Sequence, residues 1–246
     1  MALLILILCI VALGSGLQRV AGMGLGLIAA PILAIAMGPV QGVMVVNVLA
    51  MINATMTAYT VREHIDWRRC WWIGSVFVVG SVAGALLIKS VSNALLLIIF
   101  GSLILVALFI VSVLKGRMPE PRGRLPLLVT GVVGGFTNTL AAVAGPVITV
   151  YAQAAKWEHR SFSATLQPLF AISGATSFFI KILMGAGGLG DTPWQVWPVG
   201  ILGMFIGIFI GTRLAQVIAR PVAHKLALFL ASAGGFSALV RGLLAL

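Results

Sequence analysis

Apolar residues in this chain come in long runs, and glycine interrupts the runs more often than charge does. Met1 to Leu13 forms an uncharged apolar arm. The segment Gly14-Ser15-Gly16-Leu17-Gln18-Arg19-Val20-Ala21-Gly22-Met23-Gly24-Leu25-Gly26 then sets one cation and one amide among five glycines, and a second apolar arm carrying Pro31 follows to Gly38. Runs of about 18 or more residues that carry little charge read as membrane-crossing helices. They are predicted at 39–60, 71–89, 94–114, 161–184, 194–212 and 226–246, with a second hairpin-like segment at 125–155. Counting the hairpin arms, this makes about eight spans and up to ten.

Composition removes most alternatives. The chain is 61% hydrophobic and 9% charged, where a soluble domain carries about 25% charged residues. The expectation is an all-α membrane protein without a separate soluble domain. The opening arm lacks the cationic start of a signal peptide and is expected to stay in the mature chain. Cys9 and Cys70 have no CxxC spacing, and neither a metal nor a cofactor is expected.

The second half replays the first. Gly134-Gly135-Phe136-Thr137-Asn138-Thr139 followed by Gly145-Pro146 repeats the opening pattern, with Pro31 superposed on Pro146. Aligning Gln41 with Ser161 sets Asn47 opposite Gln167 and Asn53 opposite Ser173, while Gly80 and Gly84 fall opposite Gly207 and Gly211. Several matches on like elements predict a repeat. The expected organisation is a first transmembrane repeat at 1–114, a basic cytoplasmic linker at 115–124 and a second transmembrane repeat at 125–246.

Charge decides the topology. The formal net charge of +11 suggests nucleic acid in a soluble protein, but here it reports which loops stay in the cytoplasm, and no nucleic-acid partner is expected. Eight plain crossings would divide the cations almost evenly between the two faces. If each opening segment is a broken or re-entrant helical hairpin that returns to its starting side, the loops at 62–69, 115–124, 156–160 and 213–225 all become cytoplasmic. Each repeat is then a hairpin followed by three transmembrane helices, and the repeats are inverted. In that plan broken helices from both halves meet near the midplane and form a binding site.

The candidate substrate-binding residues follow from placement: Arg19 and Gln18 at the first tip, Thr137, Asn138 and Thr139 at the second, and Asn47 and Gln167 on the long spans. Gly22, Gly24, Gly26 and Pro31 in the first half, with Gly134, Gly135, Gly145 and Pro146 in the second, are the candidate hairpin and helix-break residues. A cation at membrane depth costs at least about 2.5–3.5 kcal/mol and needs a partner, water or a ligand. Arg19 has no acid nearby in sequence, so it is either an anion ligand or an anchor reaching the headgroups. Helix ends at glycine breaks favour anions. Lys181 reads as a snorkelling end charge. All five acids and all three histidines fall in loops, which argues against an acid-based proton relay. No P-loop, HExxH pair or hydrolytic constellation is present, so an enzyme is not expected.

Gly22-Met23-Gly24-Leu25-Gly26 with Pro31, Gly131-Val132-Val133-Gly134-Gly135 with Gly145-Pro146 and Tyr151, and Arg160-Ser161-Phe162-Ser163-Ala164-Thr165 resemble the sulfite exporter TauE/SafE family over essentially the whole chain. The first motif departs from the usual pattern, with alternating rather than consecutive glycines preceded by Gln18-Arg19. The resemblance implies a multi-pass permease of the plasma (inner) membrane with two repeats. It would export sulfite, sulfoacetate and other sulfonates, or related small organic anions, by alternating access. Partners are then a small anionic substrate and the lipid bilayer, with monomer and homodimer both open. An anion channel with the same lining and a non-transporting membrane assembly protein are the alternatives.

Overall fold

A computed structural model describes residues 1–113, 120–188, 190 and 192–246, with Arg220 described by its backbone alone. Half of the expected linker, 115–119, and Asp191 lie outside the described residues. The described chain is all-helical. Its elements are α1 (Ala2–Ala21), α2 (Leu25–Met37), α3 (Pro39–Val61), α4 (Trp67–Gly74), α5 (Phe77–Ser90) and α6 (Asn93–Val113), then α7 (Leu125–Ala141), α8 (Gly145–Ala154), α9 (His159–Leu183), α10 (Val196–Leu214) and α11 (Arg220–Leu244). Among the described residues seven stretches are long and apolar enough to cross a bilayer, at 2–21, 39–64, 67–90, 93–113, 159–183, 196–214 and 221–244, and α2 and α7 are shorter apolar helices. The 71–89 span is realised as α4 and α5, divided at Ser75-Val76. The final helix starts at Arg220, within the basic segment 213–225 expected to be a loop.

Helix boundaries follow local chemistry. Proline occupies the first turn of α3, α7, α8 and α11, where its missing N–H has no intrahelical partner to lose. Asp66 caps α4 by accepting from the Arg69 N–H at 3.0 Å. The Glu158 carboxylate caps α9, and the N–H groups of Ser161 and Arg160 hold it below the usual carboxylate range.

Packing depends on close backbone approach, because lipid offers apolar side chains no reason to leave it. In α10, a Cβ on Gly203 would stand 2.7 Å from the Leu8 carbonyl oxygen, and one on Gly211 would stand 2.6 Å from that of Gly16. Numbers rise together, so α1 and α10 run parallel. In the same way Gly131 lies against the Ile73 carbonyl and Gly135 against that of Phe77, and α5 runs parallel to α7. The α6–α11 pair is antiparallel, with Gly101 on Gly235 and Gly242 on Ala94. At the centre, α3 crosses α9 with Gly174 against the Asn47 carbonyl.

The described basic segments 62–69, 120–124 and 156–160 gather at one end of the bundle. Arg69 stacks on Trp157 at 4.6 Å and Arg124 on Trp72 at 4.7 Å. Lys156 pairs with Glu120 at 3.7 Å, and the Asp66 N–H donates to Thr165 Oγ1 at 2.9 Å.

A Gly207→Leu or Gly80→Leu substitution would drive a side chain into the Ala12 or Val132 carbonyl. Each is expected to cost more than the roughly 1–3 kcal/mol of ordinary overpacking and to give aggregated protein on size exclusion. Gly190→Ala, which meets open space, should elute and melt as wild type.

Candidate functional site

Two broken helices build the centre of the protein. Helix α1 ends at Gly22, whose φ of 84° is left-handed and whose N–H returns to the Gln18 carbonyl at 2.8 Å. Helix α7 ends at Ala142 in the same conformation, φ 54°, with its N–H on the Asn138 carbonyl at 2.8 Å. After each cap come two residues, and a new helix starts at Leu25 or Gly145. At Gly24 a Cβ would stand 2.7 Å from the Gln18 nitrogen and 2.9 Å from the Gly14 oxygen, so only glycine lets α2 begin that deep against α1. The breaks meet: Gly26 abuts the Ala142 carbonyl.

This geometry corrects part of the expected hairpin. Gly134 and Gly135 are not at the second break; they lie inside α7 and pack against Phe77. Membrane helices tolerate glycine when a neighbour covers it, and the chain turns later, at an alanine. Pro31 is interior to α2 and rests on Gly234 of α11, whereas Pro146 sits in the first turn of α8, so the two prolines do not superpose. The two caps instead bring Gln18 into correspondence with Asn138, in the register that sets Asn47 opposite Gln167.

Those four amides come together between the breaks. Gln18 Nε2 donates to Gln167 Oε1 at 3.4 Å, and Asn138 Nδ2 donates to Asn47 Oδ1 at 3.1 Å. Each tip amide therefore reaches a long helix of the other half of the chain. Asn138 Nδ2 also reaches the Ser173 carbonyl at 3.0 Å, and Asn47 Nδ2 reaches Ser177 Oγ at 2.7 Å. Other bonds mend the broken backbone. Gln18 Oε1 accepts from the Leu25 N–H at 3.2 Å, Gln167 Nε2 donates to the Gly22 carbonyl at 3.0 Å, and Thr137 Oγ1 donates to that of Val143 at 2.9 Å.

Between the tips lies a cavity of about 30 Å³ bordered by Gln18, Gly24, Gly26, Asn47, Asn138, Val143, Gly145, Phe170 and Ser173. It has room for roughly one to three waters. The first turns of α2 and α8 border it, placing the positive ends of two helix dipoles there. Among the described residues every carboxylate is exposed or half-exposed. The centre is thus neutral, rich in N–H donors and free of described acids.

The other expected residues lie elsewhere. Arg19 is half-buried, with Nε on Thr212 Oγ1 at 3.3 Å and Nη1 on Thr60 Oγ1 at 3.5 Å, at the end of the bundle that holds the basic segments. It does not border the cavity. Thr137 and Pro146 border an apolar groove of about 450 Å³ among α6, α7 and α8. Thr139 is buried against Gly84, its hydroxyl unpartnered. Sequence reading undervalued Ser173 and Ser177, which share one buried face of α9. It also missed the alanine break, which carries no glycine signal, and misplaced Lys181, which is fully buried.

Interrupted helices whose broken ends meet inside a bundle of apolar spans, around buried neutral donors, define a multi-pass membrane protein of the transporter class. The family model for the sulfite exporter TauE/SafE matches residues 6–238, and the chain belongs to this family. No curated protein and no solved structure matches it.

Because a Cβ at Gly22 meets open space and Ala142 shows that alanine can hold the same left-handed cap, Gly22→Ala is expected to lower stability only by the conformational cost of about 1–2 kcal/mol. Gly24→Ala should displace α2 and lower the melting temperature in detergent far more. Equal melts for the two variants would contradict the assigned geometry.

Proposed function

We propose that this protein is a plasma-membrane permease exporting small sulfur oxyanions, sulfite or sulfonates such as sulfoacetate, by alternating access. The observation that carries the reading is the meeting of the two breaks around Gln18, Asn47 and Asn138, in a member of a sulfite exporter family. An oxyanion needs several convergent N–H donors and no opposing carboxylate. Side-chain amides and the first turns of α2 and α8 offer both, and Gln167 orients Gln18. In this conformation the amides bond to one another and the cavity is too small for a multi-atom oxyanion, the arrangement of an occluded site.

The halves are inverted in this reading. Parallel pairing of α1 with α10 and of α7 with α5 supports it, since each half then clasps the broken helix of the other. The end holding the basic segments is cytoplasmic, as positive loops are retained there. Arg19, at that end, draws anions toward the centre. An interior-negative potential drives an anion outward by about 2.3 kcal/mol per charge per 100 mV, so export runs without a coupling carboxylate.

Efflux from proteoliposomes tests this. Wild-type protein is expected to give saturable efflux of sulfite or sulfoacetate, and Asn138→Ala or Asn47→Ala to lower it at least about tenfold, a loss of about 1.4 kcal/mol or more, while the proteins still fold. Efflux by wild type that does not saturate would mark a channel. No anion efflux at all would overturn the permease reading.

A further inference from the structure

Lys181 is fully buried, and its Nζ has no hydrogen-bond partner among the described residues. It sits two residues from the end of α9. That helix starts at the basic end of the bundle and carries Lys181 about 33 Å away from it along its axis. The described acids give it no counter-ion: Glu63, Asp66, Glu120 and Glu158 all belong to the segments at the basic end. Burying an unpaired ammonium is expensive, and proteins keep such groups where a ligand or ion path needs them.

Its position continues the central site. Ser173, Ser177 and Lys181 follow one another at four-residue spacing on one face of α9. Asn138 donates to the Ser173 carbonyl and Asn47 to Ser177 Oγ, so this face already supports the central amides. Lys181 lies one turn beyond Ser177.

A second orphan donor lies in the same region. The Thr139 hydroxyl is fully buried and unpartnered, and Thr139 packs on Gly84 of α5. From α9, Ile180 and Met184 pack with Ala85 and Ile88 of α5 and Leu140 of α7. Two buried donors without acceptors therefore mark one three-helix junction. Thr139 follows Asn138 just as Arg19 follows Gln18. At the basic end a cation, Arg19, donates to a hydroxyl on α3, Thr60; at the far end the hydroxyl is on α7 and the cation on α9.

We infer that Lys181 and Thr139 form a second oxyanion station on the outward side of the central amides, sealed in this conformation and occupied when the anion leaves. This deepens the permease reading and rests on it. The station takes a small singly or doubly charged oxyanion, sulfite or a sulfonate, through the Lys181 ammonium and the Thr139 hydroxyl. It answers Arg19 at the opposite end, so an anion passes from one cation to the other across neutral amides.

Proteoliposome efflux of sulfite and of sulfoacetate, with thermal melts of the same preparations, tests the assignment. Lys181→Met is expected to lower the efflux rate at least about tenfold while raising the melting temperature, because it replaces an unpaired buried amine by a thioether chain of similar length. Lys181→Arg should keep a substantial part of the rate, and Thr139→Val should lower it without lowering the melt. A Lys181→Met protein that moves anions as fast as wild type overturns the station while leaving the central site standing. A melt that falls together with the rate in both Lys181→Met and Lys181→Arg marks a structural lysine and overturns it equally. Wild-type protein without anion efflux defeats the permease reading itself, and the station with it.

Discussion

A helix that stops inside hydrocarbon leaves backbone groups that no water can reach, and each must find a partner in the protein. That constraint shapes the whole molecule. The Gly22 carbonyl is taken by Gln167, the Leu25 N–H by Gln18 and the Val143 carbonyl by Thr137. Because Gln167 lies on a helix of the other half, the break cannot be mended unless the halves interlock. The glycine contacts of α1 with α10 and of α5 with α7 hold the broken helices in that position.

The same bonds that mend the breaks build the candidate site. Four amides in two cross-half pairs leave a small cavity bordered by helix starts, with no described acid beside it. In the proposed permease, neutral donors suit the centre better than a fixed cation, because a full charge would hold the anion and slow its release. Cations stand toward the two ends instead, Arg19 half-exposed among hydroxyls and Lys181 sealed. In the proposed permease, attraction at the ends with neutral hydrogen bonding between them would give an anion a path without a trap.

Much of this was legible in the sequence. Long uncharged runs fixed the spans, since only helices can cross lipid, and the positions of Gln18, Asn47, Asn138 and Gln167 stood out as lone amides in apolar surroundings. The clustering of basic segments followed from their uneven spacing. The second break did not show, because Ala142 adopts a conformation that glycine usually signals, while Gly134-Gly135, which looked like a break, serves close packing. Arg19 was drawn to the centre by its neighbours in sequence, but a long side chain in the last turn of α1 reaches Thr60 and Thr212 instead. Lys181 near a helix end looked able to reach headgroups. Its full burial inside the bundle cannot be read from α9 alone.

A cryo-EM structure in lipid nanodiscs with saturating sulfoacetate tests the central claim most directly. The account predicts density for the anion between the starts of α2 and α8, touching the amides of Gln18, Asn47 and Asn138, in a cavity enlarged beyond its present volume. Broken ends held apart by lipid-facing helices, or an anion bound only at the basic surface with the amides still paired to one another, would contradict it.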